Sequence, residues 1–356
     1  MKGKREGVAS LPDDGIINVE VWGKAAIGLY LWQHILEGSL EERLGGVWNF
    51  GELQHRDLKL RFRTGPGVVP AKVPHDVQHL VLVLNGREPA KIDFAVSWLE
   101  FISELKHLRH VVLVLLGSER CENQWAWRYL RGDGGPVDMV YLVYDSVSVD
   151  GNMIHQWPLG VATYRSFPLV EPSEVDAEKP RKYRCSFVGT VYANSSRSNM
   201  MQVLTDPLIQ QQCYVRPRYK WQPNENPKSL SMYIHSLQNS DLVLNPIGMN
   251  SECYRIYEAL SYGSVPVIED IMTPGQCGTG ESDPSVAAPL RLLKELGAPF
   301  IYVNDWSELP SILQQEAMKT QAEVVMRRKK VLLWYRKFKR TVKFKFLDRL
   351  HDLFAT

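Results

Sequence analysis

The stretch Ser240–Asp270, SDLVLNPIGMNSECYRIYEALSYGSVPVIED, constrains this chain more than any other. Asp241 to Asn245 is a short apolar run of the kind that forms a buried strand. Pro246 and Gly248 end it. Asn250 or Ser251 is positioned to cap a helix that turns Ile256, Ala259 and Leu260 inward. Gly263 stands where a left-handed C-terminal residue is wanted, and Val265 to Ile268 reads as the next strand. Strand, loop, helix and strand in this order make a parallel β-α-β unit. Ligands in such sheets bind beyond the carboxyl ends of the strands, beside helix N-termini. Here that position holds Gly248, Met249, Asn250 and Ser251.

Strands alternate with helices on both sides of this unit. On the N-terminal side, strands are expected at Ile17 to Val21, His79 to Leu84, His110 to Leu116 and Met139 to Tyr144. Helices are expected at Lys24 to Leu36, Ile92 to Leu108 and Glu122 to Arg131. Residues 45–75 carry only weak strand signals. Pro158, Pro168, Pro172 and Pro180 then punctuate the chain, and residues 171–183 read as a linker. A second alternating series begins at Arg184 to Val188. It continues through helices near 195–204, 228–238, 287–296 and 307–316 and a strand at 300–303. The expected organisation is a disordered segment at 1–15, an α/β domain over 16–170, the linker, a second α/β domain over 184–316, and a C-terminal helix over 317–356. In that last stretch Val331, Trp334, Tyr335, Phe338, Val342, Phe346 and Leu350 mark one apolar face. Ten Lys or Arg and no acid lie between Arg327 and Lys345. A basic outer face on a packed helix is the expected reading, with contact to a phosphorylated glycan or an anionic membrane as alternatives.

Length and composition permit two domains with sizeable cores: 356 residues, 44% of them hydrophobic. A net charge of +2 does not imply nucleic-acid binding by bulk charge. The five cysteines, Cys121, Cys185, Cys213, Cys253 and Cys277, show no C-x-x-C pair, which argues against a zinc ribbon or a redox motif. In an oxidising compartment an odd count leaves a free thiol or an intermolecular pair; five buried thiols are the alternative. No built-in metal site is expected, since no D-x-D triplet stands at a strand end and no His cluster has ligand spacing. A divalent ion held by a bound diphosphate stays open. Met1 is followed by a polar segment without an apolar core, and no run reaches membrane-spanning length, so the chain taken alone reads as soluble. Asn194-Ser195-Ser196 is a glycosylation triplet.

Arg255 and Glu258 lie three apart and share a helix face. A fixed cation beside a helix N-terminus suits a diphosphate, and a carboxylate suits two ribose hydroxyls. The alternative is an ion pair on a solvated helix. Gly189-Thr190 at the end of a strand either faces the same cleft or makes a tight turn. Arg197 and Arg216 are further phosphate candidates, and Tyr233 or Tyr254 a stacking partner for a base.

RIYEALSYGSVPVI (255–268) resembles the donor-site signature of the exostosin-like glycosyltransferases. With VEVWGKAAIGLYLWQHIL (19–36), YDS (144–146) and QWPLGVATYRSFP (156–168), the likeness extends to the ribitol xylosyltransferases of that group, from about Asn18 to about Phe346. The resemblance implies a GT-B fold: two Rossmann-like α/β domains facing a cleft, the acceptor on the first and the UDP-sugar on the second. It implies UDP-xylose as donor and, as acceptor, the ribitol-phosphate-capped O-mannosyl glycan of α-dystroglycan, with fukutin and fukutin-related protein as associates. It also implies a Golgi membrane setting with an N-terminal anchor, so that this chain would be a shortened form. Transfer with inversion then needs a base, charge stabilisation for the leaving UDP, and alignment of the substrates. Arg255, with the backbone at Gly248, Asn250, Ser251 and Glu252, is expected to meet the diphosphate, Glu258 the ribose, and Gly189 and Thr190 to line the cleft. The expected base is Glu119 or Asp145, each just after a strong strand, with Glu119 first and Glu122 and Asp93 behind. Arg87, Arg120 and Arg165 are candidates for the acceptor phosphate. The alternatives are another UDP-sugar on the same fold, or an idle scaffold for glycan-building enzymes.

Overall fold

The computed structural model describes residues 15–222, 224–273, 275–278 and 288–356. The segment expected to be disordered at 1–15 therefore lies, but for Gly15, outside the described residues, as does residue 287 at the start of an expected helix.

Apolar β-branched runs build two sheets. The first opens with β1 (Ile17–Gly23) and α1 (Ile27–Leu29), which continues as a π-helical turn (Tyr30–Ile35). Three strands follow: β2 (Glu41–Arg43) ahead of the region of weak signals, and β3 (Trp48–His55) and β4 (Leu58–Thr64) within it. Then come β5 (His79–Asn85), α2 (Pro89–Ile102), β6 (His110–Leu116), α3 (Gln124–Trp127), β7 (Met139–Val143) and β8 (Ile154–Trp157). The strand order is β2-β3-β4-β1-β5-β6-β7-β8, parallel from β4 to β8, with an antiparallel margin at β2-β3-β4. The second sheet holds β9 (Tyr183–Thr190), α4 (Ser196–Val203), α5 (Pro207–Gln210), β10 (Cys213–Arg218), α6 (Pro227–Gln238), β11 (Ser240–Asn245), α7 (Tyr254–Ser261), β12 (Val265–Glu269), α8 (Arg291–Glu295), β13 (Ile301–Val303) and α9 (Leu309–Met318). Its order is β10-β9-β11-β12-β13, all parallel.

Several expected elements end elsewhere, each for a local reason. The helix expected over Glu122–Arg131 shrinks to the four residues of α3, because the Tyr129 carbonyl and the Arg131 amide are drawn off to pair with Val137. In the first helix the Lys24 and Ala25 amides both bond the Val83 carbonyl, which holds the start of the expected helix out of register. Its π-helical turn buries Tyr30, Leu31, Trp32, His34 and Ile35, more neighbours than one α-helical face can cover. Neither Asn250 nor Ser251 caps α7. The Asn250 Oδ1 is occupied by the Glu252 amide, and the helix starts only after Cys253, which has extended backbone and makes no side-chain cap. Four cysteines pair, Cys121 with Cys277 and Cys185 with Cys213, and Cys253 remains a thiol.

One helix crosses behind both sheets. α10 (Gln321–Phe354) runs 34 residues from a Thr320/Glu323 capping box. Near its start Arg328, 2% exposed, bonds Asp241 at the head of β11 (2.7 Å) and the carbonyls of Ala177 and Lys179. Near its end Phe354 packs on His79 and His110, the first residues of β5 and β6. Between these points Tyr335 and Phe338 meet Tyr30 and Tyr257, and Phe346 meets Tyr141 and Trp157. At its two ends α10 thus packs on the amino-terminal ends of β11 and of β5 and β6. Among the described residues no helix is long and apolar enough to cross a membrane.

A buried ion pair that loses one member leaves an uncompensated charge, at a cost of about 3–5 kcal/mol. Arg328→Ala should lower the unfolding free energy by that amount in denaturant titration. A loss under 1 kcal/mol would remove Arg328 as the pin of α10.

Candidate active site

A cleft of about 520 Å³ opens where the carboxyl ends of the strands from both sheets meet. Arg87 follows β5 and Ser118–Arg120 follow β6; Gly189 and Thr190 end β9, and Gly248–Asn250 follow β11.

Two guanidiniums form the floor on the second-sheet side. Arg255, on the first turn of α7, lies over the Phe187 ring (5.0 Å) and donates from Nη2 to the Val188 carbonyl (3.3 Å). Its Nε and Nη1 are buried and have no partner. Arg197, on α4, donates to the Thr190 carbonyl (2.8 Å), and its Nε is likewise unpartnered. Burial, and then the Arg255 charge, lower the Arg197 pKa. The glycines beneath let the two guanidiniums lie close to the backbone. A Cβ at Gly189 would lie 2.6 Å from Arg255 Nη2, and one at Gly248 would lie 2.5 Å from Arg197 Nη2. Two adjacent cations with unfilled donors over bare backbone make a site for an anion with several oxygens.

The carboxylates are sorted by burial. Glu258 is buried and accepts from the Ala162 amide (3.0 Å) and from the Tyr233 hydroxyl. The alternative of a solvated Arg255–Glu258 ion pair is therefore not what forms. Burial raises the Glu258 pKa. Glu252 is buried too, accepts from the Leu159 amide (2.8 Å) and the Tyr257 hydroxyl, and is pushed up to about 7 by burial. Glu119 is different. Its side chain is 38% exposed and lies 3.5 Å from Arg87 Nη2 and 3.5 Å from the Tyr144 hydroxyl that donates to it. Arg87 in turn sits beside the faces of Tyr144 and Tyr254.

Asp145 is not in the cleft. Its side chain is 4% exposed, bonded to Arg291 (2.7 Å) and to the Ala288 amide (3.1 Å), and it fastens the chain before α8 to the end of β7. A carboxylate so enclosed cannot reach an acceptor hydroxyl, and it is dropped as a base. Asp93 lies exposed on α2, outside the cleft; Glu122 lines it. Ser251 lies behind the cleft, and its amide and that of Glu252 are already bonded, so neither serves a diphosphate. The Asn250 side chain spans to the Glu119 carbonyl (2.9 Å). Of the arginines, Arg87 and Arg120 line the first-sheet side, whereas Arg165 is held by Glu225 (3.6 Å) and the Gln222 carbonyl (3.1 Å). Arg216 stacks on Tyr214 and does not line the cleft.

The sequence reading missed the rim formed by Tyr164, Trp221, Arg218 and Glu225. Trp221 is 58% exposed. The available signal was an aromatic residue without apolar periodicity in the polar run Arg216–Asn226. Among the described residues no group of three or more His, Cys, Asp or Glu has metal-site geometry.

Two family descriptions match the chain: the RXYLT1 N-terminal domain over residues 19–158 and the RXYLT1 C-terminal domain over residues 164–355. Ribitol-5-phosphate xylosyltransferase 1 of Danio rerio is 48% identical over 340 residues, covering 94% of this chain and 77% of the relative. That of Homo sapiens is 45% identical over 342 residues, covering 95% and 77%. Among solved structures, an alpha-glucosyltransferase in complex with UDP and a 13-mer DNA aligns at TM-score 0.50 and 12% identity, over 96% of this chain and 100% of that one. That likeness shows a shared α/β fold.

The Glu252 carboxyl ionises near 4.5 when free and near 7 here, so the folded chain binds more protons between those values. Stability contributed by the protonated group is complete below pH 4.5 and is lost as pH rises through 7. Glu252→Gln should therefore match the parent near pH 4 and exceed it at pH 8.5 by roughly 3 kcal/mol in unfolding free energy. Equal stability at both pH values would contradict the raised pKa.

Proposed function

The chain belongs to the ribitol-5-phosphate xylosyltransferase 1 family, and on that premise we propose that it transfers xylose from UDP-xylose to a ribitol phosphate ending a glycan. The observation that carries this reading is the pair Arg197 and Arg255, set over Gly189 and Gly248 with guanidinium nitrogens left unpartnered. Parallel sheets whose carboxyl ends open on one cleft support a GT-B arrangement, with the donor on the second sheet and the acceptor on the first.

In this reading the diphosphate lies on Arg197 and Arg255, whose fixed charges meet the charge developing on the leaving UDP. The acceptor hydroxyl gives its proton to Glu119, a partly exposed carboxylate just after β6 that lines the cleft, as its oxygen attacks the xylose anomeric carbon. The bond to UDP breaks in the same step, with inversion. Arg87 and Arg120 stand on the acceptor side, suited to its phosphate. An accessible ring is needed for uracil. The Tyr233 hydroxyl is held by Glu258, so Trp221 and Tyr164 at the rim are better placed. Two disulfides and an exposed Asn194 in its triplet support a secretory-pathway setting such as the Golgi lumen, where an α-dystroglycan glycan would be met.

The test is a panel of UDP-sugars with a ribitol-phosphate-capped acceptor, read by product mass. A pentose increment from UDP-xylose alone is expected. Transfer from another donor would replace the substrate and keep the fold. UDP binding without any transfer would favour a scaffold. Arg255→Ala should weaken UDP binding about 10- to 100-fold, the worth of a charge-assisted hydrogen bond of about 1.5–3 kcal/mol. Unchanged affinity would remove the donor-site assignment. Glu119→Gln should lower kcat about 100- to 10,000-fold while UDP binding persists; full turnover would exclude it as the base.

A further inference from the structure

Among the described residues, the loop that carries Glu119 is fastened to the second-sheet side by a disulfide and by hydrogen bonds near it. The Cys121–Cys277 disulfide joins residues 156 apart in sequence. Asn250 Nδ2 donates to the Glu119 carbonyl (2.9 Å), and the Gln276 amide donates to the Arg120 carbonyl (2.9 Å). The loops approach so closely that a Cβ at Gly275 would lie 3.0 Å from the Arg120 carbonyl oxygen. Cys121 itself has φ 61, a conformation that a non-glycine residue keeps only where its surroundings hold it.

The other disulfide differs in kind. Cys185 and Cys213 are direct partners in the β9–β10 ladder, so that bond joins two strands already paired within one sheet. Cys121–Cys277 joins a loop of the first sheet to a loop after β12, across the edge of the cleft. The Asn250 and Gln276 hydrogen bonds are single contacts between uncharged groups, each weak alone.

We propose that the Cys121–Cys277 disulfide is a positioning element for catalysis: it holds the Glu119 loop in register with the donor side, so that the chemical step depends on it while UDP binding does not. The inference rests on Glu119 acting as the base. A base must lie within about 3 Å of the proton it takes, and a displacement of about 1 Å costs on the order of a hundredfold. The diphosphate contacts come from Arg197 and Arg255, on helices that the disulfide does not touch.

The experiment compares Cys121→Ser/Cys277→Ser with Cys185→Ser/Cys213→Ser, each with and without Glu119→Gln. Unfolding midpoint, UDP Kd, donor KM and kcat are measured for all. Opening Cys121–Cys277 should lower kcat 10- to 100-fold, leave the UDP Kd within about twofold, and make Glu119→Gln cost less than in the parent. The Cys185/Cys213 variant should lose thermal stability and keep its kcat. Unchanged kcat in the Cys121/Cys277 variant overturns the proposal, as does an equal loss of UDP binding and kcat, which marks a purely structural bond. An undiminished Glu119→Gln effect overturns it as well, because the disulfide then does not act through Glu119. Full turnover of Glu119→Gln in the parent overturns the base assignment together with the proposal, and is separable from failure of the disulfide arm alone. Should the serine variant not fold, mild phosphine reduction of the native protein is followed by mass, with UDP binding as the check on the fold. Retained kcat after Cys121–Cys277 has opened is then the overturning result.

Discussion

The arrangement depends on one constraint: two sheets must present their carboxyl ends to a common cleft, and α10 imposes this from behind. A single 34-residue helix packs on both, with the buried Arg328 on Asp241 at the head of the second sheet and Phe354 on His79 and His110 at the head of the first. One rigid element thus packs on amino-terminal strand ends of both sheets, while the carboxyl ends meet at the cleft. The Cys121–Cys277 bond closes the same frame from the front. Between these two restraints lie Arg197 and Arg255, whose buried unpartnered nitrogens are what a ligand in the cleft would complete.

In and around the cleft, burial decides chemistry more than residue type does. Glu252, Glu258 and Asp145 all stand near strand or helix ends, yet each is enclosed and spent on local donors. Glu119 keeps its solvent access and takes an arginine and a tyrosine hydroxyl as neighbours. The arginines divide in the same way. Arg165 shares the Glu225 carboxylate with Arg218, whereas among the described residues Arg255 and Arg197 have no carboxylate within ion-pair distance and donate only to the Val188 and Thr190 carbonyls.

Much of the architecture was legible because its elements are strongly periodic. The runs that became β5, β6, β7 and β11 are rich in Val and Leu, and the apolar stripe from Val331 to Leu350 announced α10. Elements with short or mixed patterns were not: β8 and β10 contain His155, Arg216 and Pro217, and their place comes from neighbours already in the sheet. The cap expected at Asn250 failed because its side-chain oxygen closes a local turn on the Glu252 amide, so that the helix starts later, after Cys253.

By itself the sequence determined the alternation of strand and helix, the helix that carries Arg255, and the likeness that named the family. These follow from local spacing and identity, which survive without knowledge of contacts. The tertiary structure alone decided which carboxylate meets solvent, which cysteines pair, and that Arg197 joins Arg255 over Gly189 and Gly248. Those outcomes depend on distances between residues up to 156 positions apart, and on a competition for hydrogen bonds that no local pattern records.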